Sequence, residues 1–387
     1  MKNQLNTLRI RIGVLFALIL PVSVSTYAVE LTLKLKEEMA EILYEQNISN
    51  CPNKPSPDGP FRAIRHSDGS VIGYLPGKFS FSAEVSSGGA IDVNCRPVMK
   101  GDHISDPDAH NDRVWLASAW IDDDDSIHAL GHNEYHAHSH PTKCRFSSYL
   151  ECWYNTITHY RWDTNSKTFA LNKDNKPVIS PYFDQSEYQG RHRGFFNPTN
   201  VISSGDYYYF LIETTGGGKQ PRGVCIFRRN KDDPPWDWKA LTLDGSFSRL
   251  TLRLDPSLPT AICKTIANLQ GPITSIFHDP TSDKFVSIFV GRTEETKESV
   301  ILYAVSKDLF NWEKPRILSR LPLMWSKSCS DEYRFAYPSV IDYTSSSRNL
   351  DSIASAPFLY LTRFHVENCR LSETRDLIRL PLHLNIQ

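Results

Sequence analysis

Apolar positions along the chain fall in runs of about 5 to 8 residues, rich in β-branched and aromatic side chains and divided by Gly, Asn, Asp and Pro. Val114 to Trp120, Tyr207 to Glu213, Lys284 to Val290, Val300 to Val305 and Phe358 to Phe364 are examples, and each predicts a strand. One stretch differs. Leu31, Leu33, Leu35, Met39, Ile42 and Leu43 among Lys and Glu predict a short amphipathic helix over 31–46, in an N-terminal segment 29–59 that precedes the main unit. The strands recur in a weak repeat: a strand, an acidic or Gly-containing turn, an aromatic-rich second strand, a third strand and a Trp- or Phe-bearing turn. The copy over Ile273 to Glu313 is the clearest, and others begin near Phe61, Arg113, Phe196 and Tyr337. Five copies predict an all-β chain with one five-bladed β-propeller over 60–387, the N-terminal segment lying against its outside. A β-sandwich with long loops is the alternative. No Gly-, Ser- or Pro-rich linker divides the chain.

The N-terminus changes the setting in which this unit works. Lys2, Arg9 and Arg11 precede the apolar run Ile12 to Val22, and small residues follow to Ala28, which predicts a signal peptide over 1–28 and a secreted or periplasmic protein. No later stretch is apolar enough for a membrane span. Eight cysteines lie beyond the signal, without the paired knuckles of a structural zinc site, and predict disulfides. Proximity in sequence pairs Cys51 with Cys95, Cys144 with Cys152, Cys225 with Cys263 and Cys329 with Cys369. With 43 Lys and Arg against 44 Asp and Glu, and no basic stripe, nucleic acid is not an expected partner.

Ser306-Lys307-Asp308-Leu309-Phe310-Asn311-Trp312-Glu313 resembles the blade ending of the five-bladed glycoside hydrolases, the arabinanases, xylosidases and fructosidases of families 43 and 32. Thr164 to Phe169 resembles a degenerate copy, and Asn197-Pro198-Thr199-Asn200 and Tyr337-Pro338-Ser339-Val340 are similar to the inner strands of that superfamily. The whole chain is also similar to an uncharacterised exported group built on the same propeller, through Asn133 to His136 and a tryptophan near Cys152. The resemblance implies a polysaccharide or oligosaccharide as partner and carboxylate acid/base catalysis. It also exposes a departure, because the family's Glu-Gly-Pro, which carries the general acid, reads Gln270-Gly271-Pro272 here. The acid has then moved, or the protein binds sugar without cutting it.

The densest polar cluster runs from Gly131 to Pro141, after the apolar strand Ile127 to Leu130. On a strand His132, Glu134 and His136 share one face, so a carboxyl between two imidazoles is aimed together into a pocket. Glycoside hydrolysis needs two carboxyls flanking the bond. Glu134 is the first candidate, and Asp112 and Asp331, each just ahead of a predicted inner strand, are the candidates for the second. Substrate contacts are expected from His132, Asn133 and His136, from Trp153 and Asn155 beside Cys152, and from Arg193, Asn197 and Tyr337. His138 and His140 are expected in solvent, as is the acidic run Asp122 to Asp125. No metal ligands are assigned and no cofactor is expected, although a single axial ion held through a His stays open. His132-x-Glu134-x-His136 lacks the zincin order and its helix, and no nucleophile elbow or phosphate loop is present.

Overall fold

The structure is a computed structural model that describes residues 30–172, 177–250 and 261–386. Its described regular structure is strand throughout, apart from three single 3-10 turns. The chain opens with β1 (Leu31–Leu35) and β2 (Glu41–Glu45) and then runs through antiparallel meanders. In the first, β3 (Arg62–Arg65), β4 (Val71–Leu75), β5 (Phe79–Val85) and β6 (Ile91–Lys100) pair in order. In the second, β7 (Arg113–Ile121), β8 (Ile127–His136), β9 (Trp153–Asp163) and β10 (Thr168–Leu171) do the same.

Next, β11 (Arg193–Phe196) and β12 (Ile202–Ser204) both lie along β13 (Tyr207–Thr214), which continues into β14 (Gly223–Asn230), β15 (Lys239–Leu241) and β16 (Phe247–Ser248). A brief parallel contact of Arg193 with Tyr154 and Gly194 with Asn155 joins this meander to its predecessor as one ten-stranded sheet. A separate sheet holds β17 (Ile273–Asp279), β18 (Lys284–Arg292), β19 (Ser299–Ser306) and β20 (Arg316–Ser319). The last contains β21 (Tyr333–Ile341), β22 (Phe358–Glu367) and β23 (Arg370–Ile386), with β1 and β2 added along β23.

The helix expected over 31–46 therefore does not form. Leu31, Leu33 and Leu35 alternate with Thr32 and Lys34, a strand period, and β23 offers a long edge for them to pair with, from Leu31 opposite Ile386 to Leu35 opposite Leu382. Leu31 and Leu33 are buried in one apolar cluster with Ile301, Tyr303, Leu380 and Leu382. The signal peptide expected over 1–28 lies outside the described residues. The disulfides are the four pairs expected from proximity, Cys51–Cys95, Cys144–Cys152, Cys225–Cys263 and Cys329–Cys369. Among the described residues no helix is long and apolar enough to cross a membrane.

The Ser306 to Glu313 motif has a local explanation. Ser306 Oγ accepts the N–H groups of Asp308 and Leu309, Asp308 Oδ1 accepts those of Phe310 and Asn311, and the buried Trp312 donates Nε1–H to Leu309 O at 2.8 Å. Side chains thus satisfy the turn backbone while the indole fills the space beneath it. Asp123, Asp124 and Asp125 of the acidic turn are exposed, as expected, but Asp122 is not. Asp122 is buried in an ion pair with the buried Arg229 at 2.6 Å, because the aromatic walls Tyr208 and Trp238 enclose that guanidinium. Asp123 accepts from Tyr208 Oη.

The leading strands of the meanders meet one another through side chains. β7, β17 and β21 carry register shifts at Leu116/Ser118, Ile273/Ser275 and Ala336/Ser339, and the chain between β11 and β12 breaks at Asn197, with φ 24°. The buried Arg62 of β3 donates to the Ala117 carbonyl at 2.8 Å and to the Pro198 carbonyl at 3.1 Å, at two of these irregularities. Thr274 donates to Pro338 O, and Ser275 Oγ accepts from Val340 N. Bulges of this kind re-aim side chains at the ends of strands, and they bring the entrances of these strands to one end of the molecule.

Candidate functional site

At that end the strand β8 finishes with His132, Asn133, Glu134, Tyr135 and His136, paired on one side with β7 and on the other with β9. Strand alternation directs His132, Glu134 and His136 to one face, as expected. Glu134 Oε2 lies 2.7 Å from His136 Nε2, and Oε1 lies 3.6 Å from His132 Nδ1. Asn155, opposite Glu134 on β9, donates from Nδ2 to His132 Nε2 at 2.7 Å and accepts from His192 Nε2 at 2.6 Å. His132 Nε2 is therefore an acceptor, and the His132 proton sits on Nδ1, the nitrogen facing Glu134. Asn197 hydrogen-bonds His132 from the neighbouring meander. Trp153 stacks on His136 at 4.0 Å and meets His192 edge-on at 4.9 Å.

Burial sets the charge states. The Glu134 carboxyl is pushed up to about 7, first by desolvation, and its neighbours divide: His132 and Arg113 favour the anion, whereas Asp58 and Asp112 oppose it. Burial holds His136 and His192 down at about 3, and lowers His132 as well, so these imidazoles stay neutral beside the carboxyl. Asp58, like Asp112, is near enough to oppose the Glu134 charge. Asp58 Oδ1 accepts from Tyr337 Oη at 3.0 Å and pairs with Arg375 at 2.6 Å. Tyr337 reaches it from a left-handed backbone position, φ 57°, beside the bulge of β21.

The expected residues thus separate into groups. Glu134, His132, His136, Trp153, Asn155 and Asn197 form one connected cluster, to which Tyr337 belongs through Asp58. Asn133 faces the opposite side, fully buried: its Oδ1 accepts the Asp112 N–H and its Nδ2 donates to Thr156, which is what the period of two dictates for the residue between His132 and Glu134. Asp331 makes its contacts elsewhere, with Ser326 Oγ and the buried Arg334. Arg193 donates to the Gly216 carbonyl. Asp112 is buried behind His136, whose N–H it accepts, and lies between His103 and His140. His140 is buried rather than solvated because its ring stacks on Tyr135 at 5.2 Å, whereas His138 is exposed and bonds the Ser148 carbonyl.

Two participants were missed, and a further buried carboxyl, Glu213, stands apart from the cluster. Asp58, in Asp58-Gly59-Pro60 ahead of β3, has the Pro-flanked setting of Asn197 and Tyr337, and that shared setting is the signal that reveals it. His192 gave no signal beyond its neighbours Arg191 and Arg193. Glu213, the last residue but one of β13, packs against Gly271: a Cβ at 271 would stand 2.2 Å from its Cδ, so a larger residue there would push the carboxyl aside. Burial raises the Glu213 carboxyl, opposed by Arg222 at 3.4 Å. Gln270 itself is structural, its Oε1 accepting the Arg292 N–H at 3.0 Å.

No family model and no curated protein matches this chain. Among solved structures, a thermostable family-43 glycoside hydrolase superposes on 86% of this chain and 93% of its own at 11% identity, with a TM-score of 0.50. The chain has the fold of that enzyme. An arabinofuranosidase from Podospora anserina, solved with cellotriose, covers 89% of this chain and 95% of its own at 9% identity and a TM-score of 0.49. A protein of unknown function from Dyadobacter fermentans covers 91% and 99% at 10% identity and a TM-score of 0.48.

Proposed function

We propose that this protein is an exported, glycoside hydrolase-like propeller that acts on a polysaccharide or oligosaccharide, with Glu134 exchanging a proton with the glycosidic oxygen. The meanders β3–β6, β7–β10, β11–β16, β17–β20 and β21–β23 with β1 are read as five blades around one axis, and the four disulfides suit an oxidising compartment. The observation that carries the reading is the state of Glu134. A carboxyl held near 7 is present both as acid and as base close to neutrality, the condition for general acid catalysis. Neutral imidazoles on either side hold it in place.

Asp58 is the better second carboxyl. Its contacts with Tyr337 and Arg375 are both made to Oδ1, while Asp112 is engaged by His103, His140 and the His136 N–H. Trp153, Asn197 and Tyr337 supply the flat and polar surfaces that hold a sugar ring. The structural use of Gln270 favours one second reading, a propeller that binds carbohydrate without cleaving it. Wild type, Glu134→Gln and Glu213→Gln assayed on arabinan, xylan, fructan and uronic-acid polymers separate the two. The proposal expects cleavage of one polymer by wild type and by Glu213→Gln, and loss of about 10²- to 10⁴-fold in Glu134→Gln. Near-wild-type turnover by Glu134→Gln ends the assignment of Glu134, and a polymer bound in calorimetry but never cleaved establishes the second reading.

A further inference from the structure

Behind the carboxyl cluster lies a group of side chains that the hydrolytic reading does not use. His103 Nδ1 is 2.7 Å from Asp112 Oδ1, and His140 Nε2 is 3.1 Å from Asp112 Oδ2. One ligand atom from each of the three lies within 4.8 Å of the others. The His140 side chain is 95% buried by the complement of its 5% exposure, yet among the described residues its Nε2 makes no hydrogen bond, because the Asp112 oxygen lies off the required line. A buried imidazole nitrogen that makes no hydrogen bond beside a carboxylate has a lone pair open to a cation.

The surroundings hold these groups in place. Tyr135 stacks on His140 and anchors the loop before Asp112 by donating to Ser105 O at 2.8 Å. His103 adopts a left-handed backbone, φ 56°, fixed by its N–H to Asp112 O at 2.9 Å, and this conformation turns its ring onto the aspartate. Asn133 Oδ1 and the His136 N–H then fix the aspartate backbone and its Oδ2.

We propose that His103, Asp112 and His140 form a binding site for one divalent transition-metal ion of the zinc class. Two imidazoles and one carboxylate suit zinc and its neighbours and are poor ligands for calcium or magnesium, which take oxygen. Three protein ligands leave one position of a tetrahedron open, at the end of β7 whose first residue, Arg113, pairs with Glu134. Bonds of about 2.0 to 2.2 Å separate tetrahedral ligands by roughly 3.3 to 3.6 Å. The His140–Asp112 spacing nearly meets this already, and His103, more than half exposed, needs only to move outward slightly.

The test is metal binding, independent of any enzymatic activity. Chelator-stripped full-length protein is titrated with Zn²⁺ by calorimetry, bound metal is counted by mass spectrometry after desalting, and His103→Ala, His140→Ala and a Glu134→Gln control are treated alike. The proposal expects one Zn²⁺ per chain, unaffected by millimolar Ca²⁺ or Mg²⁺, lost in His140→Ala, weakened about tenfold or more in His103→Ala, and retained in Glu134→Gln. The exposed position of His103 makes its variant a safe one for folding, and circular dichroism checks both. No stoichiometric Zn²⁺ in wild type, full binding by both histidine variants, or loss only in Glu134→Gln overturns it; the last result would move the ion to the Glu134 cluster.

Discussion

Replacing Glu134 by glutamine keeps nearly the same volume and removes one ionisation, so its effect on stability isolates the burial of that carboxyl. In the folded protein Glu134 titrates at about 7 against an ordinary 4.5. Below the lower value it is protonated in both folded and unfolded chains and contributes no pH dependence. Between the two, the unfolded chain ionises while the folded one remains neutral, which favours unfolding. Above the higher value the penalty is complete. Each tenfold change in proton affinity is about 1.4 kcal/mol, so the full penalty approaches ~3 kcal/mol, an upper bound because the side chain keeps 14% of its surface in water. Glutamine has no such titration. The stability of Glu134→Gln relative to wild type should therefore rise by roughly 2 to 3 kcal/mol between pH 4.5 and pH 8. His136, held at about 3 when folded against an ordinary 6.5, also makes stability rise with pH, but it does so in both proteins and cancels in the difference. Urea unfolding at closely spaced pH values, followed by tryptophan fluorescence, measures the difference. A relative stability that is flat with pH, or that moves toward wild type as the pH rises, refutes the argument that Glu134 is buried against its charge.

Asp58→Asn should lower turnover on the substrate found in the polymer screen by about 10²-fold or more, with Asp331→Asn close to wild type, measured as kcat at saturating substrate; the reverse order would restore Asp331 as the second carboxyl. Arg229→Met leaves Asp122 buried without its partner and should cost about 3 to 5 kcal/mol in equilibrium unfolding, far beyond a surface substitution. Replacing both Cys51 and Cys95 by alanine frees a loop of sequence separation 44 and should lower stability by up to about 4 kcal/mol, seen as a lower urea midpoint under non-reducing conditions.

What the sequence disclosed follows from which interactions are local. Strand runs such as Lys284 to Val290 carry their own period and turns, so their places agree with β18 and its neighbours. The facing of His132, Glu134 and His136 is likewise fixed by alternation along one strand. The same rule, carried through, places Asn133 on the other face, and Leu31, Leu33 and Leu35 in a strand rather than a helix. Asp58 depends on contacts with Tyr337 and Arg375, far away along the chain. Nothing in its immediate neighbours encodes partners that arrive from another sheet. Asp122 is the same lesson reversed, because four consecutive acids read as a solvated turn until Arg229 arrives from β14 to pair with the first of them.

The pairing of β1 with β23 also constrains how the molecule is made. Thr32 meets Asn385 across a sequence separation of 353 residues. During synthesis the first strand therefore has no partner until its complement, 353 residues further on, has been made. Until then Leu31, Leu33 and Leu35 are exposed, and when β22 and β23 arrive they present an open edge of the kind that invites association with other chains. Closure between such distant segments is entropically slow.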